Sequence, residues 1–137
     1  MSSTITMRWV EDHLMVGTDS HGHSVVIGMA PGTDTRVGVK ASDLLLMAAA
    51  ACSMYDVVDI LTKQQEPLEK LTIECTGDQL PDPPNTFTRI NLHYIAKGAV
   101  TPEKLGRAIR LSEDKYCSVI NTLRPGTSIH SNYEIVP

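Results

Sequence analysis

Two of the three cysteines lie far apart in the chain, each in a segment whose composition favours a helix. Cys52 belongs to the segment LLLMAAAACSMYDVV and Cys117 to the segment SEDKYCSVINTL. Neither has a cysteine or histidine partner at the spacing of a zinc site. An oxidised thiolate can be captured by a second thiol as a disulfide, whereas buried cysteines often only fill space. The two residues are therefore either a redox couple or two inert core residues.

The other residues that could bind or react have simpler interpretations. Cys75 alternates in phase with Leu71 and Ile73, which predicts a cysteine in the core face of a strand. His21 and His23 flank Gly22 without a third ligand nearby, so we expect a solvated hairpin tip and no metal site.

Size and charge limit the classes of function. A chain of 137 residues predicts one domain spanning residues 1–137, and a net charge of −4 without a basic stripe argues against nucleic acid as a partner. The longest uncharged stretch, Leu44–Tyr55, is shorter than the ~20 residues of a membrane span, so we expect no membrane partner. The N-terminal segment lacks the pattern of a secretory signal, which predicts a cytoplasmic protein.

The first third of the chain predicts an antiparallel meander. Apolar residues alternate from Ile5 to Val10, and short β-like runs follow at 13–18 and 23–28. Residues 28–40 contain a Pro-Gly step and little periodicity, which predicts a loop that carries Arg36.

A long helix should position Cys52. Ser42 is a suitable N-cap, Asp43 suits the positive end of the helix dipole, and helix-forming residues continue to about Gln65 before Pro67. The first half of this helix is apolar on every side, so we expect other protein segments to enclose it.

The elements after this helix should position Cys117. Two strands are predicted around Leu71–Cys75 and Ile90–Tyr94, followed by a helix from Thr101 to about Tyr116. A short helix from Ser118 to Pro125-Gly126 and a last strand over 129–135 complete the chain, so Cys117 should lie at a helix junction. This order predicts an α+β fold.

Three segments taken together resemble the OsmC/Ohr family of small thiol peroxidases, in its OsmC-like branch. They are KASDLLLMAAAACSMYDVVDIL, FTRINLHYIAKG and LSEDKYCSVINTL, and the resemblance covers nearly the whole chain. It implies antiparallel β-sheets wrapped around a long central helix, and an intertwined homodimer.

The resemblance also implies roles for individual residues. Cys52 corresponds to the attacking cysteine and Cys117 to the resolving cysteine. Arg36 is the first candidate for the arginine that activates the attacking thiol, and Arg8 is the second. In the family an acidic residue holds this arginine, and Asp43 is the candidate for that role here. The chain departs from the family where a proline commonly precedes the helix, since Ala41 stands there, and Ser42 or Asp43 stands where the family has a glutamate.

The activity implied is the reduction of organic, lipid-like hydroperoxides without metal or cofactor, followed by regeneration by an external dithiol reductant. An apolar lining should favour organic peroxides, and its predicted members are Leu45, Met47, Met54, Tyr55 and Ile120. The alternatives are an OsmC-fold protein that binds a small hydrophobic ligand without turnover, and a thiol redox sensor.

Overall fold

The computed structural model describes residues 1–137, which form two compact units, Met1–Leu45 and Leu46–Pro137. Each unit contains one three-stranded sheet. The expectation that residues 1–137 act as a single domain stays a prediction.

The first unit contains the predicted meander. Strands β1 (Thr6–Glu11), β2 (Leu14–Thr18) and β3 (Ser24–Gly28) pair antiparallel in sequence order. Gly28 has φ +106°, and a Cβ atom at this position would lie 1.8 Å from the carbonyl oxygen of His13, so only glycine fits. The following loop is tied back to β3 by bridges between Met29 and Arg36 and between Ile27 and Val39.

Helix α1 (Ala41–Lys63) confirms the predicted long helix. Its C-terminus closes with two backbone hydrogen bonds, from Gln65 N to Thr62 O and from Glu66 N to Leu61 O, and Gln65 has φ +57°. This is the left-handed closure that satisfies the last carbonyl groups of a helix.

The second sheet has the order β4-β5-β6, formed by β4 (Leu68–Gln79), β5 (Phe87–Gly98) and β6 (Ser128–Val136). β4 and β5 pair antiparallel, but β6 pairs parallel to β5. The prediction of purely antiparallel sheets is wrong for this pair. The reason is that three helical segments separate β5 from β6, and such a crossover allows the chain to return in the same direction.

The crossover consists of α2 (Pro102–Leu111), a π-helical turn (Ser112–Tyr116) and α3 (Ser118–Leu123). Glu66 accepts a hydrogen bond from the N–H of Thr101 at 3.0 Å and so satisfies a donor at the start of α2. Cys117 lies between the π-turn and α3, which confirms the predicted helix junction.

The core of the second unit forms between the sheet and the helices. Alternate residues of β5 are fully buried, as the sequence predicts for Ile90, Leu92 and Tyr94. They pack with buried residues of α1 and α2, including Val57, Leu61 and Leu105. Each fully buried aliphatic side chain of this kind contributes about 1.5–3 kcal/mol, so this core can hold the cysteine-bearing segments in place.

Candidate active site

Cys52 is placed by the middle of α1 and is half-buried. The four alanines before it are strong helix formers and add little bulk around the thiol. The Cys52 Sγ atom lies 4.0 Å from the Oγ atom of Ser118, the first residue of α3. Segments that are remote in sequence therefore meet at this sulfur.

Cys117 is fully buried and has an extended backbone conformation. Its Sγ atom accepts a hydrogen bond from the N–H of Ile120 at 3.4 Å, which makes Cys117 the N-cap of α3. Its own N–H donates to the carbonyl oxygen of Ser112 at 2.7 Å. The thiol is thus fixed from both flanking elements.

The thiols of Cys52 and Cys117 interact and shift each other's pKa in opposite directions. Burial opposes ionisation of Cys52, but the Cys117 thiol, the N–H of Val119 and the hydroxyl and N–H of Ser118 outweigh it and lower the pKa of the Cys52 thiol. Burial, assisted by the neighbouring Cys52 sulfur, raises the pKa of the Cys117 thiol to about 12. Cys52 is therefore the thiol that ionises first, and Cys117 retains its proton.

A buried hydrogen-bonded chain lies beside the two cysteines. The hydroxyl of Tyr94 lies 2.6 Å from Ser53 Oγ, which lies 3.0 Å from Ser112 Oγ, and Ser112 Oγ lies 2.8 Å from Asp56 Oδ2. The Ser112 hydroxyl is the donor toward both Asp56 Oδ2 and Ser53 Oγ, and either hydroxyl of the Tyr94–Ser53 pair can donate to the other. The chain connects β5 and the π-turn to the turn of α1 that carries Cys52.

The π-turn also carries a buried carboxyl group, that of Glu113. Its Oε2 atom accepts a hydrogen bond from Ser131 at 2.9 Å, whereas its Oε1 atom is buried without a partner. Burial raises the pKa of Glu113, although the Ser131 hydroxyl and the Arg124 guanidinium oppose the shift. A buried carboxyl in this environment favours its neutral form.

The model of the family described as OsmC-like protein matches residues 32–132. The chain belongs to the OsmC family. Protein YhfA of Escherichia coli strain K12 is 34% identical over 134 residues, which cover 95% of this chain and 96% of YhfA.

Solved structures show the same fold. An OsmC-like protein from Mycoplasma pneumoniae has a TM-score of 0.84 at 20% identity, covering 100% of this chain and 99% of that chain. The organic hydroperoxide resistance protein OhrB of Bacillus subtilis has a TM-score of 0.67 at 15% identity, covering 98% of both chains. The predicted OsmC-type α+β fold with a long central helix is therefore confirmed.

The predicted charged site residues lie in the first unit. Arg36 is exposed in the loop after β3, Arg8 is exposed on β1, and Asp43 is half-buried in the first turn of α1. Among the groups with the largest effect on the pKa of Cys52, there is no arginine from residues 46–137. Activation of the Cys52 thiol by Arg36, with Asp43 as the acidic partner of Arg36, stays a prediction.

The predicted apolar lining is distributed over several environments. Met47 and Tyr55 are exposed on α1, at 52% and 81%, and Met54 is half-buried. Leu45 is half-buried at the end of the first unit, and Ile120 is fully buried in the core, where only its N–H reaches Cys117. Their role in substrate binding stays a prediction.

The remaining cysteine and histidines take no part in this arrangement. Cys75 is half-buried on β4 against the core, and burial raises the pKa of its thiol. Asp19 accepts a hydrogen bond from His23 Nδ1 at 2.9 Å in the turn between β2 and β3. No three His, Cys, Asp or Glu side chains are grouped so that they could hold a metal ion.

Sequence reasoning missed Ser118, Ser53, Asp56 and the carboxyl of Glu113 as parts of the site. Ser118 directly follows Cys117, and Ser53 directly follows Cys52, so adjacency to each thiol was an available signal. Ser112 is fully buried in the π-turn. Its partners depend on the π-turn, which has no signature in the sequence.

Helix α1 is long and apolar enough for a membrane span by length and composition alone, with a mean hydropathy of 1.8 over its most apolar window. The core helix of a soluble protein meets the same criteria. Since α1 is the long central helix of the OsmC fold, this signal is weak, and the expectation of no membrane partner stays a prediction.

Proposed function

We propose that the protein is a cysteine-based peroxidase that reduces organic hydroperoxides, with Cys52 as the attacking residue and Cys117 as the resolving residue. Membership of the OsmC family supports a general redox role. The observation that carries the proposal is the meeting of the two cysteine segments: Cys52 Sγ lies 4.0 Å from the hydroxyl of Ser118, the residue after Cys117. In this arrangement the pKa of Cys52 is lowered and that of Cys117 is raised.

The first step is attack of the Cys52 thiolate on the terminal oxygen of the hydroperoxide. The O–O bond breaks, Cys52 is oxidised to a sulfenic acid that keeps the hydrogen of the terminal oxygen, and the alkoxide takes a proton from water and leaves as the alcohol. A thiolate is required, because a thiol is a poor nucleophile. The lowered pKa and partial exposure of Cys52 suit it to this step.

In the second step the sulfur of Cys117 attacks the sulfenic sulfur of Cys52. A disulfide forms, and the sulfenic oxygen leaves as water with the proton from Cys117. The high pKa of Cys117 keeps it protonated while Cys52 reacts, so that the two thiols do not compete for the peroxide. An external dithiol then reduces the disulfide by exchange and becomes a disulfide itself.

We infer the substrate class from the exposed apolar side chains of α1, of which Tyr55 lies about one helical turn after Cys52. Met47 and Tyr55 are exposed and Met54 is half-buried, so the accessible part of this helix offers apolar contacts to an alkyl or lipid-like group. Hydrogen peroxide gains nothing from such contacts. The cycle requires no metal or flavin, and a cytoplasm rich in dithiol reductants would sustain it.

The proposal includes a homodimer. Met47, Tyr55 and Val58 lie on one face of α1, and within the single chain 52%, 81% and 39% of their surfaces are exposed. Contiguous apolar surface of this kind is typical of an interface. A second copy, as in typical OsmC family members, would provide the enclosure that the apolar sequence of α1 demands.

Peroxide consumption by two cysteine variants tests the proposal. With cumene hydroperoxide and a dithiol reductant, Cys52→Ser should lose consumption entirely, whereas Cys117→Ser should still form a sulfenic acid on Cys52 in the first turnover. Cys75→Ser is the matched control and should consume peroxide at the wild-type rate. Unchanged consumption by Cys52→Ser would contradict the proposal.

A thiol redox sensor is the second candidate. One observation favours it: the groups that lower the pKa of Cys52 are Cys117, Val119 and Ser118, and none of them is an arginine. A thiolate without a cationic partner would react more slowly with peroxide. A sensor would form the same disulfide slowly and without sustained turnover. The rate of peroxide consumption under excess dithiol distinguishes the candidates. A peroxidase consumes peroxide continuously, a sensor stops after forming its disulfide slowly, and a protein that only binds a hydrophobic ligand consumes none.

A further inference from the structure

We propose that Ser112 is a positioning residue that holds the Cys117 thiol against Cys52 for disulfide formation. This inference rests on the proposed pairing of the two cysteines. Ser112 contacts neither a substrate nor a reacting atom, and it acts through the backbone of Cys117.

The side chain of Ser112 anchors the π-turn to the helix that carries Cys52. Its Oγ atom lies 2.8 Å from Asp56 Oδ2 and 3.0 Å from Ser53 Oγ. Ser53 is the next residue after Cys52, and Asp56 is one helical turn further along α1. The two contacts therefore fix Ser112 to the segment of α1 that places the first thiol.

The carbonyl group of Ser112 anchors Cys117. It accepts the N–H of Cys117 at 2.7 Å, which is the i to i+5 hydrogen bond that closes the π-turn. One residue thus bonds to α1 through its side chain and to Cys117 through its backbone. A shift of Ser112 away from α1 would carry the Cys117 backbone with it.

The rest of the π-turn is braced from α3. Arg124 Nη2 donates to the carbonyl oxygen of Glu113 at 2.6 Å, and Asn121 Nδ2 donates to the same oxygen at 2.9 Å. Asn121 Nδ2 also lies 2.8 Å from the carbonyl oxygen of Cys117. These hydrogen bonds fix the π-turn relative to α3. Its attachment to α1 is made by the Ser112 side chain, so we infer that Ser112 sets the distance between the turn and α1.

Ser112 is fully buried, so its hydroxyl has no water to replace Asp56 or Ser53 as a partner. Ser112→Ala removes the hydrogen bonds of Ser112 to Asp56 and Ser53, of which Ser53 keeps Tyr94 as a partner, and so frees the turn from α1. We expect the effective concentration of the two thiols for each other to fall about tenfold, which is the size of the effect of losing one intramolecular hydrogen bond. Since the Cys117 thiol helps to lower the pKa of Cys52, we also expect the pKa of Cys52 to rise.

The experiment measures the Cys52–Cys117 disulfide at equilibrium in glutathione buffers, together with the pH dependence of Cys52 alkylation. Neither readout depends on peroxide, so the inference is tested even where the peroxidase proposal fails. The variants are Ser112→Ala and Asp56→Ala, which remove the same bond from opposite sides, and Asp56→Asn, which retains an acceptor oxygen. Ser128→Ala, an exposed serine at the start of β6, is the matched control.

We expect Ser112→Ala and Asp56→Ala to lower the disulfide equilibrium constant about tenfold and to move the alkylation midpoint of Cys52 to higher pH. Asp56→Asn and Ser128→Ala should match the wild type in both. If Ser112→Ala does not fold, Asp56→Ala decides, because Asp56 is only half-buried. Wild-type values of both readouts in a folded Ser112→Ala or Asp56→Ala would overturn the inference.

Discussion

Cys52 and Cys117 divide their protons unequally: the pKa of the first thiol is lowered, and that of the second rises to about 12. Burial acts on both, but at Cys52 the Cys117 thiol and groups of Val119 and Ser118 outweigh it, whereas at Cys117 burial outweighs the N–H groups of Ile120 and Val119. This difference in pKa supports Cys52 as the attacking residue and Cys117 as the resolving residue. The titration belongs to the pair, so removing one thiol should change the pKa of the other.

Cys117→Ala should raise the pKa of Cys52. The thiolate of Cys52 loses the Cys117 thiol as a donor, and the ionised form loses stabilisation. The measurement is the rate of iodoacetamide alkylation of Cys52 against pH, with the modified site identified by mass spectrometry. Cys117→Ser, which retains a hydroxyl donor, is the control and should shift the midpoint less. A midpoint that is the same in both variants as in the wild type would count against the interaction.

Ser118→Ala should raise the pKa of Cys52 by a smaller amount. The hydroxyl of Ser118 lies 4.0 Å from Cys52 Sγ, but the N–H groups of Ser118 and Val119 remain after the substitution. The same alkylation profile measures the shift, and Ser128→Ala is the control because its hydroxyl contacts only His130. A shift as large as that of Cys117→Ala would mean that the hydroxyl, and not the thiol pair, controls ionisation.

Tyr94→Phe should destabilise the protein by about 0.5–1.5 kcal/mol, because it removes the buried hydrogen bond between Tyr94 and Ser53 while Ser53 keeps its contact with Ser112. Urea denaturation monitored by circular dichroism measures the free energy of unfolding. Tyr133→Phe is the matched control, since the Tyr133 hydroxyl donates to Pro102 O at 3.2 Å on a residue that is 41% exposed. An equal loss of stability in both variants would show that the buried Tyr94–Ser53 hydrogen bond stabilises the protein no more than the exposed Tyr133–Pro102 bond does.

Glu113→Gln should increase stability at neutral pH and leave it nearly unchanged at acidic pH. Burial raises the pKa of Glu113 in the folded protein above its ordinary value of 4.5, so the folded state binds the proton more tightly than the unfolded state. Stability that depends on this proton is present below pH 4.5 and is lost as the pH rises through the folded pKa. Urea denaturation at several pH values measures the difference. If Glu113→Gln were less stable than the wild type at neutral pH, the claim that burial favours the protonated carboxyl of Glu113 would be wrong.

Tyr55→Asp should convert the proposed dimer to monomers, because it places a charge on the exposed apolar face of α1. Sedimentation velocity gives the oligomeric state. Leu80→Asp is the control, since Leu80 is 49% exposed but belongs to the turn after β4 and not to α1. If Tyr55→Asp remained a dimer and Leu80→Asp became a monomer, the proposed interface on α1 would be wrong.

The elements that position the site were predictable where the pattern is local. The apolar sequence and the Ser42-Asp43 start predict α1 nearly to its observed bounds, and Pro102 predicts the start of α2. Cys117 at a helix junction also follows from the local sequence. Helix periodicity and end signals act over a few residues, so the sequence displays them directly.

The relations between distant segments were not predictable from residues alone. The parallel pairing of β6 with β5 depends on the path of the crossover, and the π-turn shifts the helical register by one residue without a sequence signal. The proximity of Cys52 and Cys117 came from the family resemblance, not from periodicity. The chain of Tyr94, Ser53, Ser112 and Asp56 requires all of these placements at once, which is why only the structure reveals it.

The most direct test of the central claim is peptide mapping after one equivalent of cumene hydroperoxide. The account predicts the loss of two thiols per chain and one intramolecular disulfide between Cys52 and Cys117, with Cys75 still reduced. Unreacted thiols, a disulfide that includes Cys75, or Cys52 oxidised to a sulfinic acid beside a free Cys117 would contradict it.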